Sequence, residues 1–111
     1  MRIPIATING IVHIEDDGFE FGGWIAHHDN DNIGTWIVTH AASGRCIREV
    51  CSGEESYAIQ LAKRLAGIEI PPLHTFMDPH ADNGRGVITA YPEVGYVIQA
   101  IAGELLVEMY E

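Results

Sequence analysis

Two alternating apolar runs meet at Asn9-Gly10, and this arrangement constrains the fold more than any other feature of the chain. The runs cover residues 3–8 and 11–14. Asn-Gly favours the positive backbone φ angles of a two-residue hairpin turn, and the flanking runs have the side-chain period of strands. We therefore predict a β-hairpin with Ile5 opposite Ile14 on the face that is the better core candidate.

A second group of strands is predicted after this hairpin. The alternation over residues 19–27 favours a third strand, with a bulge at Gly22-Gly23. β-branched and aromatic residues in 35–41 and 45–51 favour another hairpin. Residues 29–34, which are rich in Asp, Asn and Gly, are predicted to form the loop between these parts.

The best-marked helix is predicted over residues 53–66. Ser52 and Glu55 have the spacing of a capping box, in which each side chain accepts a hydrogen bond from a free amide of the first turn. Gly67 is suited to the C-terminal end. The apolar stripe at helical spacing consists of Ala58, Ile59, Leu61, Ala62, Leu65 and Ala66.

The C-terminal segment is compatible with two structures. Pro92 suits the first position of a helix, and the residues after it form an apolar helical stripe. Gly95 and Gly103 weaken that helix by about 1 kcal/mol each relative to Ala. The alternative is a hairpin of residues 96–101 and 104–110. The stripe consists of Val94, Val97, Ile98, Ile101, Leu105 and Met109. Residues 67–85 are predicted as loop and 86–91 as a short strand.

These elements predict one α+β domain over residues 1–111, an antiparallel sheet of four to six strands with one or two helices packed on one face. Apolar residues make up 47% of the chain, which is enough to bury a core. No apolar run reaches the roughly 18 residues of a membrane span, and the first residues lack a secretory pattern. We therefore expect a cytoplasmic protein.

The charge of the chain is strongly negative. Sixteen Asp and Glu residues stand against six Lys and Arg, a formal net charge of -10. Such a chain is not expected to bind nucleic acids or anionic membranes through a general basic surface, because that binding depends on many Lys and Arg side chains. Two segments contain no Lys or Arg, residues 3–44 and 86–111. Their acidic residues are Glu15, Asp16, Asp17, Glu20, Asp29 and Asp31 in the first, and Glu93, Glu104, Glu108 and Glu111 in the second. We expect an acidic surface that docks on a basic, nucleic-acid-binding partner.

Aromatic residues supply candidate anchors for such a surface. Trp36 lies in an apolar run and is predicted to be core, whereas Trp24 follows two glycines and is a candidate exposed anchor. Tyr91, Tyr96 and Tyr110 are further candidates. The predicted partner-binding residues are Glu15, Asp16, Asp17, Glu20, Trp24, Asp29 and Asp31.

A metal-binding protein is an alternative, because the chain has six histidines. Its ligands would be His27 or His28, His40, His74 and His80, with Asp78 and Asp82 nearby. Adjacent histidines on a strand point to opposite faces, however, and a proline-containing loop does not preorganise ligands. A second alternative is a homo-oligomer, such as a homodimer, in which an exposed strand or the C-terminal segment pairs with its own copy.

Catalytic motifs are weak throughout the sequence. Cys46 and Cys51 are five residues apart on one predicted strand, so their side chains would point to opposite faces and no disulfide is expected. The sequence lacks a nucleophile elbow, and residues 83–86 match neither a phosphate-binding loop nor a dinucleotide motif. We therefore expect neither an enzyme nor a cofactor.

A resemblance in size, acidity and predicted elements supports the binding hypothesis. Thr35–His40 (TWIVTH), Ser43-Gly44-Arg45 and Ala58–Ala62 (AIQLA) make a predicted strand, turn, strand and helix module over about a quarter of the chain. In this module, its size and its acidity, the chain resembles small proteins of phages and other mobile elements, including anti-CRISPR and anti-restriction inhibitors. The resemblance implies an inhibitor that binds a host nucleoprotein by steric blocking or nucleic-acid mimicry. It assigns no binding residue.

Overall fold

The computed structural model describes residues 1–7, 10–29, 32–69 and 92–110. The strands are β1 (Arg2–Thr7), β2 (Gly10–Glu15), β3 (Gly18–Phe21), β4 (Trp24–His28) and β5 (Trp36–His40). The helices are a 3-10 turn (Arg48–Val50), α1 (Glu55–Leu65) and α2 (Pro92–Tyr110). β1 and β2 form one antiparallel sheet, and β3, β4 and β5 form a second in that order. The predicted α+β class is confirmed, with the strands divided between two sheets.

Alternate residues of β4 pack into two cores. Trp24 and Ala26 face a core that the second sheet shares with α1 and α2, whereas Ile25 packs against Ile3 and Ile5 of β1. Successive side chains of a strand point to opposite faces, so the second sheet lies between the helices and the β1–β2 hairpin. The core on the helix side consists of Trp24, Ala26, Trp36, Val38, Ile47, Tyr57, Ala58, Leu61, Ala62, Leu65, Ile98, Ala102 and Leu105.

The predicted β1–β2 hairpin is confirmed, but its predicted register is wrong by two residues. Ile5 lies opposite Val12, and Ile14 lies opposite Ile3. This register lets Met1 extend the ladder, since the amide of Asp16 donates to the Met1 carbonyl at 3.1 Å and the Met1 ammonium donates to the Asp16 carbonyl at 2.7 Å. A shift of two leaves each side chain on its predicted face.

Gly22-Gly23 is a hairpin turn, so the predicted continuous third strand with a bulge is wrong. Both glycines have positive φ, +55° and +93°, as a tight two-residue turn requires. Phe21 therefore pairs with Trp24, and β3 folds back on β4. Gly22 also packs so closely on Ala66 that a Cβ there would lie 2.8 Å from the Ala66 Cβ.

The second predicted hairpin is half correct. Its first arm is β5, but its second arm, residues 45–51, makes an isolated bridge between Thr39 and Cys46 and then enters the 3-10 turn. Local hydrogen bonds replace the ladder there, because the Cys51 amide donates to the Arg48 carbonyl at 3.1 Å.

The first helix is confirmed, but its predicted capping box is wrong. α1 begins at Glu55 with Glu54 as N-cap and no side-chain cap hydrogen bond. Residue 53 lies outside the helix because Gly53 has a φ of +91°, and its carbonyl accepts a hydrogen bond from the Trp36 amide at 2.8 Å. Gly67 follows the helix with a φ of +84°, as expected for a helix end.

The C-terminal segment is the predicted helix, α2, and the hairpin alternative is wrong. Ile98, Ala102 and Leu105 are buried on its inner side and pack in the core shared with α1. Val97, which was predicted to belong to the buried stripe, is 49% exposed. The predicted loop after residue 69 and the predicted strand 86–91 lie outside the described residues.

Candidate interaction surface

The connection between β2 and β3 holds a compact group of acidic residues. Glu15 ends β2 and its side chain is 79% exposed, and Asp17 is exposed beside it. Asp16 is half-buried, and its carboxylate accepts hydrogen bonds from the Asp17 amide at 2.7 Å and from His28 Nδ1 at 3.1 Å. Asp16 therefore fixes the shape of the turn, while Glu15 and Asp17 face solvent.

Glu20 extends this acidic turn along β3. It is exposed and lies three residues beyond Asp17, about 10 Å along an extended chain. Opposite charges near the group are the Met1 ammonium, 3.9 Å from the Glu15 carboxylate, and Arg2, which is paired with Glu15 in the ladder. We call Glu15, Asp16, Asp17 and Glu20 the acidic turn.

Asp29 does not belong to this surface, although it was predicted as a partner-binding residue. It is 3% exposed, and its two carboxylate oxygens accept hydrogen bonds from Arg48 Nε and Nη2, both at 2.8 Å. This bidentate ion pair joins the start of the loop to the 3-10 turn and lines a cavity of about 160 Å3 with Thr35 and Ser52. Asp29 is thus a structural residue. Asp31 lies outside the described residues.

Trp24 is a core residue, so its predicted role as an exposed anchor is wrong. Its exposure is 0%, its ring centroid lies 5.0 Å from that of His40, and its Nε1 donates to the Ile68 carbonyl at 3.1 Å. Because the chain reverses at Gly22-Gly23, the side chain of Trp24 packs against α1 instead of lying on the surface. Trp36 is 8% exposed and belongs to the same core, as predicted.

Three acidic residues of the second acidic segment lie on α2. Glu93 and Glu104 are exposed there, and Glu108 forms an ion pair with Arg64 of α1. The acidic turn instead lies next to the N-terminus and His28. The two acidic segments therefore have different surroundings. Tyr96 and Tyr110 are exposed on α2, whereas Tyr91 and Glu111 lie outside the described residues.

The histidines of the strands are engaged in separate local contacts. His27 is buried; its Nδ1 donates to the His28 carbonyl at 2.7 Å, and its Nε2 lies 2.6 Å from the Thr39 hydroxyl. His40 Nδ1 lies 2.9 Å from the Ser43 hydroxyl, and burial lowers the pKa of His40 below 6.5. Within the described ranges, no group of three or more His, Cys, Asp or Glu residues is placed to hold a metal ion. The predicted ligands His74 and His80, with Asp78 and Asp82, lie outside those ranges.

Neither cysteine is in a disulfide. Cys46 is buried, and Cys51 is half-buried with its thiol donating to the Ile47 carbonyl at 3.4 Å.

An open cleft beside β2 was not found from the sequence. It has a volume of about 410 Å3, within the range of ligand-binding clefts. Glu20 of the acidic turn reaches it, together with Ile11 and His13 of β2. The other lining residues are Arg2, Pro4, Ile25, Ala41 and Ala42. The alternation in 11–14 gives no sign of this cleft, because it depends on how the hairpin meets the second sheet.

The fold and surface thus define a small, acidic α+β protein with an open cleft beside its acidic turn. No protein-family model matches the chain, and no curated protein or solved structure matches it either. Of the helices that the structure describes, none has the length and apolar character needed to cross a membrane.

Proposed function

We propose that this protein binds a basic, nucleic-acid-binding protein through the acidic turn and thereby keeps that partner from its nucleic acid. It acts by occupying the partner's basic surface, without chemistry of its own. The proposal keeps the inhibitor role that the resemblance to anti-CRISPR and anti-restriction proteins implies.

The observation that carries the proposal is the excess of negative charge at the acidic turn. Glu15, Asp17 and Glu20 are exposed, whereas Arg45 is buried and Arg48 is held by Asp29. The four carboxylates of the acidic turn are opposed in this region by the Met1 ammonium and Arg2, which leaves an excess of negative charge at the surface. Such a surface attracts a basic patch over a distance of roughly 10 Å at 0.1 M ionic strength.

The structure of the turn favours binding over mere solvation. Asp16 bonds to the Asp17 amide and to His28, so the neighbouring carboxylates project from a fixed backbone. A turn with a fixed backbone loses less conformational entropy when a partner's Lys or Arg side chains bind its carboxylates.

The test is affinity capture from host-cell lysate with the full chain, followed by affinity measurement with the purified partner over a range of salt concentrations. We compare wild type with the double variant Asp17→Lys/Glu20→Lys. The matched control is Glu55→Lys/Glu69→Lys, which changes the net charge equally at exposed positions away from the acidic turn. Thermal unfolding of each variant checks that the fold is retained.

We expect wild type and the control to capture a nucleic-acid-binding protein that high salt releases and that nucleic acid displaces. The Asp17→Lys/Glu20→Lys variant should bind it at least about tenfold more weakly, a loss of about 1.4 kcal/mol. Equal affinity of both double variants, or binding that ignores salt, would contradict the proposal.

A further inference from the structure

The outer edge of β2 has a defined set of outward-pointing backbone groups. The amide of Ala6 donates to the Gly44 carbonyl at 2.9 Å, so it points away from β2, and Met1 exchanges hydrogen bonds with Asp16. In an antiparallel ladder, hydrogen-bonded and non-bonded pairs alternate. Odd-numbered residues of β1 therefore bond to even-numbered residues of β2. The amides and carbonyls of Ile11, His13 and Glu15 point outward.

The two edges of this sheet are protected to different degrees. On β1, Pro4 has no amide hydrogen and Ala6 is bonded to Gly44. On β2, the outward groups lack a hydrogen-bond partner within the part of the chain that the structure describes. β2 has neither a proline nor a lysine, and its register is continuous over all its residues. Proteins usually protect an edge with such residues or with a bulge.

The side chains of β2 are also left uncovered. Ile11 is 51% exposed and Val12 is 48% exposed, on opposite faces of the strand, and every other β2 position except Ile14 is exposed as well. A strand with an open edge and apolar residues exposed on both faces gains contacts on both faces when another strand pairs with it.

We propose that the edge of β2 binds an extended, basic segment of the partner as an added strand. The inference rests on the proposed function and names the form in which the partner binds. Backbone hydrogen bonds to Ile11, His13 and Glu15 hold the segment, and its alternate side chains contact Ile11 and Val12.

Charge complementarity selects a basic segment as the occupant. Glu15 lies on β2 itself and Asp17 follows it, while Glu20 lines the cleft that contains Ile11 and His13. Arg2, the cation in this cleft, is paired with Glu15 in the ladder. Lys and Arg side chains on a strand added at this edge would lie among these carboxylates, and the apolar cleft walls suit their aliphatic stems.

The first experiment uses the full chain and a capped eight-residue peptide of alternating Lys and Val. Its matched control is the same peptide with every backbone amide N-methylated, which keeps the charge but donates no hydrogen bond. We expect salt-sensitive binding of the first peptide and a loss of at least about tenfold for the second.

The second experiment changes the protein edge. His13→Pro removes an outward amide that takes no part in the ladder with β1, and proline is tolerated on edge strands. His13→Val keeps that amide while changing the side chain. We expect His13→Pro to bind the peptide at least about tenfold more weakly than His13→Val, which measures the contribution of the side chain that lines the cleft. Should His13→Pro fail to fold, the peptide comparison on wild type still decides.

The possible outcomes separate the two proposals. Salt-sensitive binding that N-methylation and His13→Pro leave unchanged overturns strand addition and keeps the acidic turn as a docking site. An uncharged Ser/Val peptide binding as tightly as the basic one overturns the acidic selection on which the proposed function depends. If sedimentation shows that wild type is a dimer and that His13→Pro is a monomer, the edge binds a second copy and the proposal is overturned. Failure of wild type to bind the basic peptide overturns it too.

Discussion

Removing the guanidinium of Arg48 should destabilise the protein more than neutralising Asp29, its partner. The side chain of Asp29 is 1% exposed and accepts both hydrogen bonds from Arg48, whose own side chain is 37% exposed. Arg48→Met leaves a buried carboxylate without these bonds, whereas Asp29→Asn leaves a cation that reaches water. Removing the partner of a buried charge, so that this charge stays buried and unpaired, costs about 3–5 kcal/mol.

The size of the effect can be stated for each variant. We expect Arg48→Met to lower the free energy of unfolding by about 3–5 kcal/mol, and Asp29→Asn by about 1–2 kcal/mol. For a chain of this length, the first loss lowers Tm by roughly 12 °C or more. The double variant, which buries no unpaired charge, should be more stable than Arg48→Met alone, with a coupling of about 2 kcal/mol.

Urea denaturation of the four proteins, with m-values compared, measures these differences. Arg48→Lys, which keeps the charge but loses the bidentate geometry, gives an intermediate variant if Arg48→Met does not fold. Equal losses for Arg48→Met and Asp29→Asn, or losses that simply add in the double variant, would refute the reasoning from burial.

Three further perturbations have defined outcomes. Burial lowers the pKa of His40 below 6.5, so the unfolded state binds more protons than the folded state and stability should fall as the pH drops below 6.5. His40→Gln should reduce this dependence of stability on pH, measured by thermal unfolding at several pH values. Burial raises the pKa of Tyr57 to about 12, so this side chain ionises first in the unfolded state and stability should fall as the pH rises from 10 to 12. Tyr57→Phe should remove this contribution to the loss of stability, measured by denaturant titrations. Gly22→Ala should lower the free energy of unfolding by about 2–4 kcal/mol in denaturant titrations, because the new Cβ would lie 2.8 Å from Ala66 and the residue has a positive φ. Gly23→Ala should cost less, because a Cβ there meets no atom within 4 Å.

Features encoded in neighbouring residues could be predicted, and features that depend on distant partners could not. Asn9-Gly10 indicated the hairpin, but in the observed register Gly10 pairs with Thr7, and Met1 exchanges hydrogen bonds with Asp16, fifteen residues away. The apolar stripe of α1 was sufficient to place that helix. Its first residue depends on Gly53, which bonds to β5 instead of beginning the helix.

The candidate site shows the same division. Glu15, Asp17 and Glu20 were predicted as surface acids, and they are exposed because turn and edge residues have few neighbours. Asp29 has the same local appearance, in a loop rich in Asp and Asn, but Arg48 pairs with it from nineteen residues away. Arg48, between Ile47 and Val50 in the predicted strand 45–51, was the signal that could have indicated a carboxylate partner.

The acidic turn lies beside the edge of β2, and its charge affects which strands can pair with that edge. An open edge with exposed Ile11 and Val12 would ordinarily pair with other copies of the same chain. A net charge of -10 opposes that pairing, and the acidic turn places part of this charge beside the edge. The same carboxylates attract a basic strand. An acidic surface that served solubility alone could be distributed anywhere, whereas charge at the end of an unprotected strand discriminates between a second copy and a basic partner. Because salt screens both effects, it should weaken partner binding and remove the barrier to self-association together.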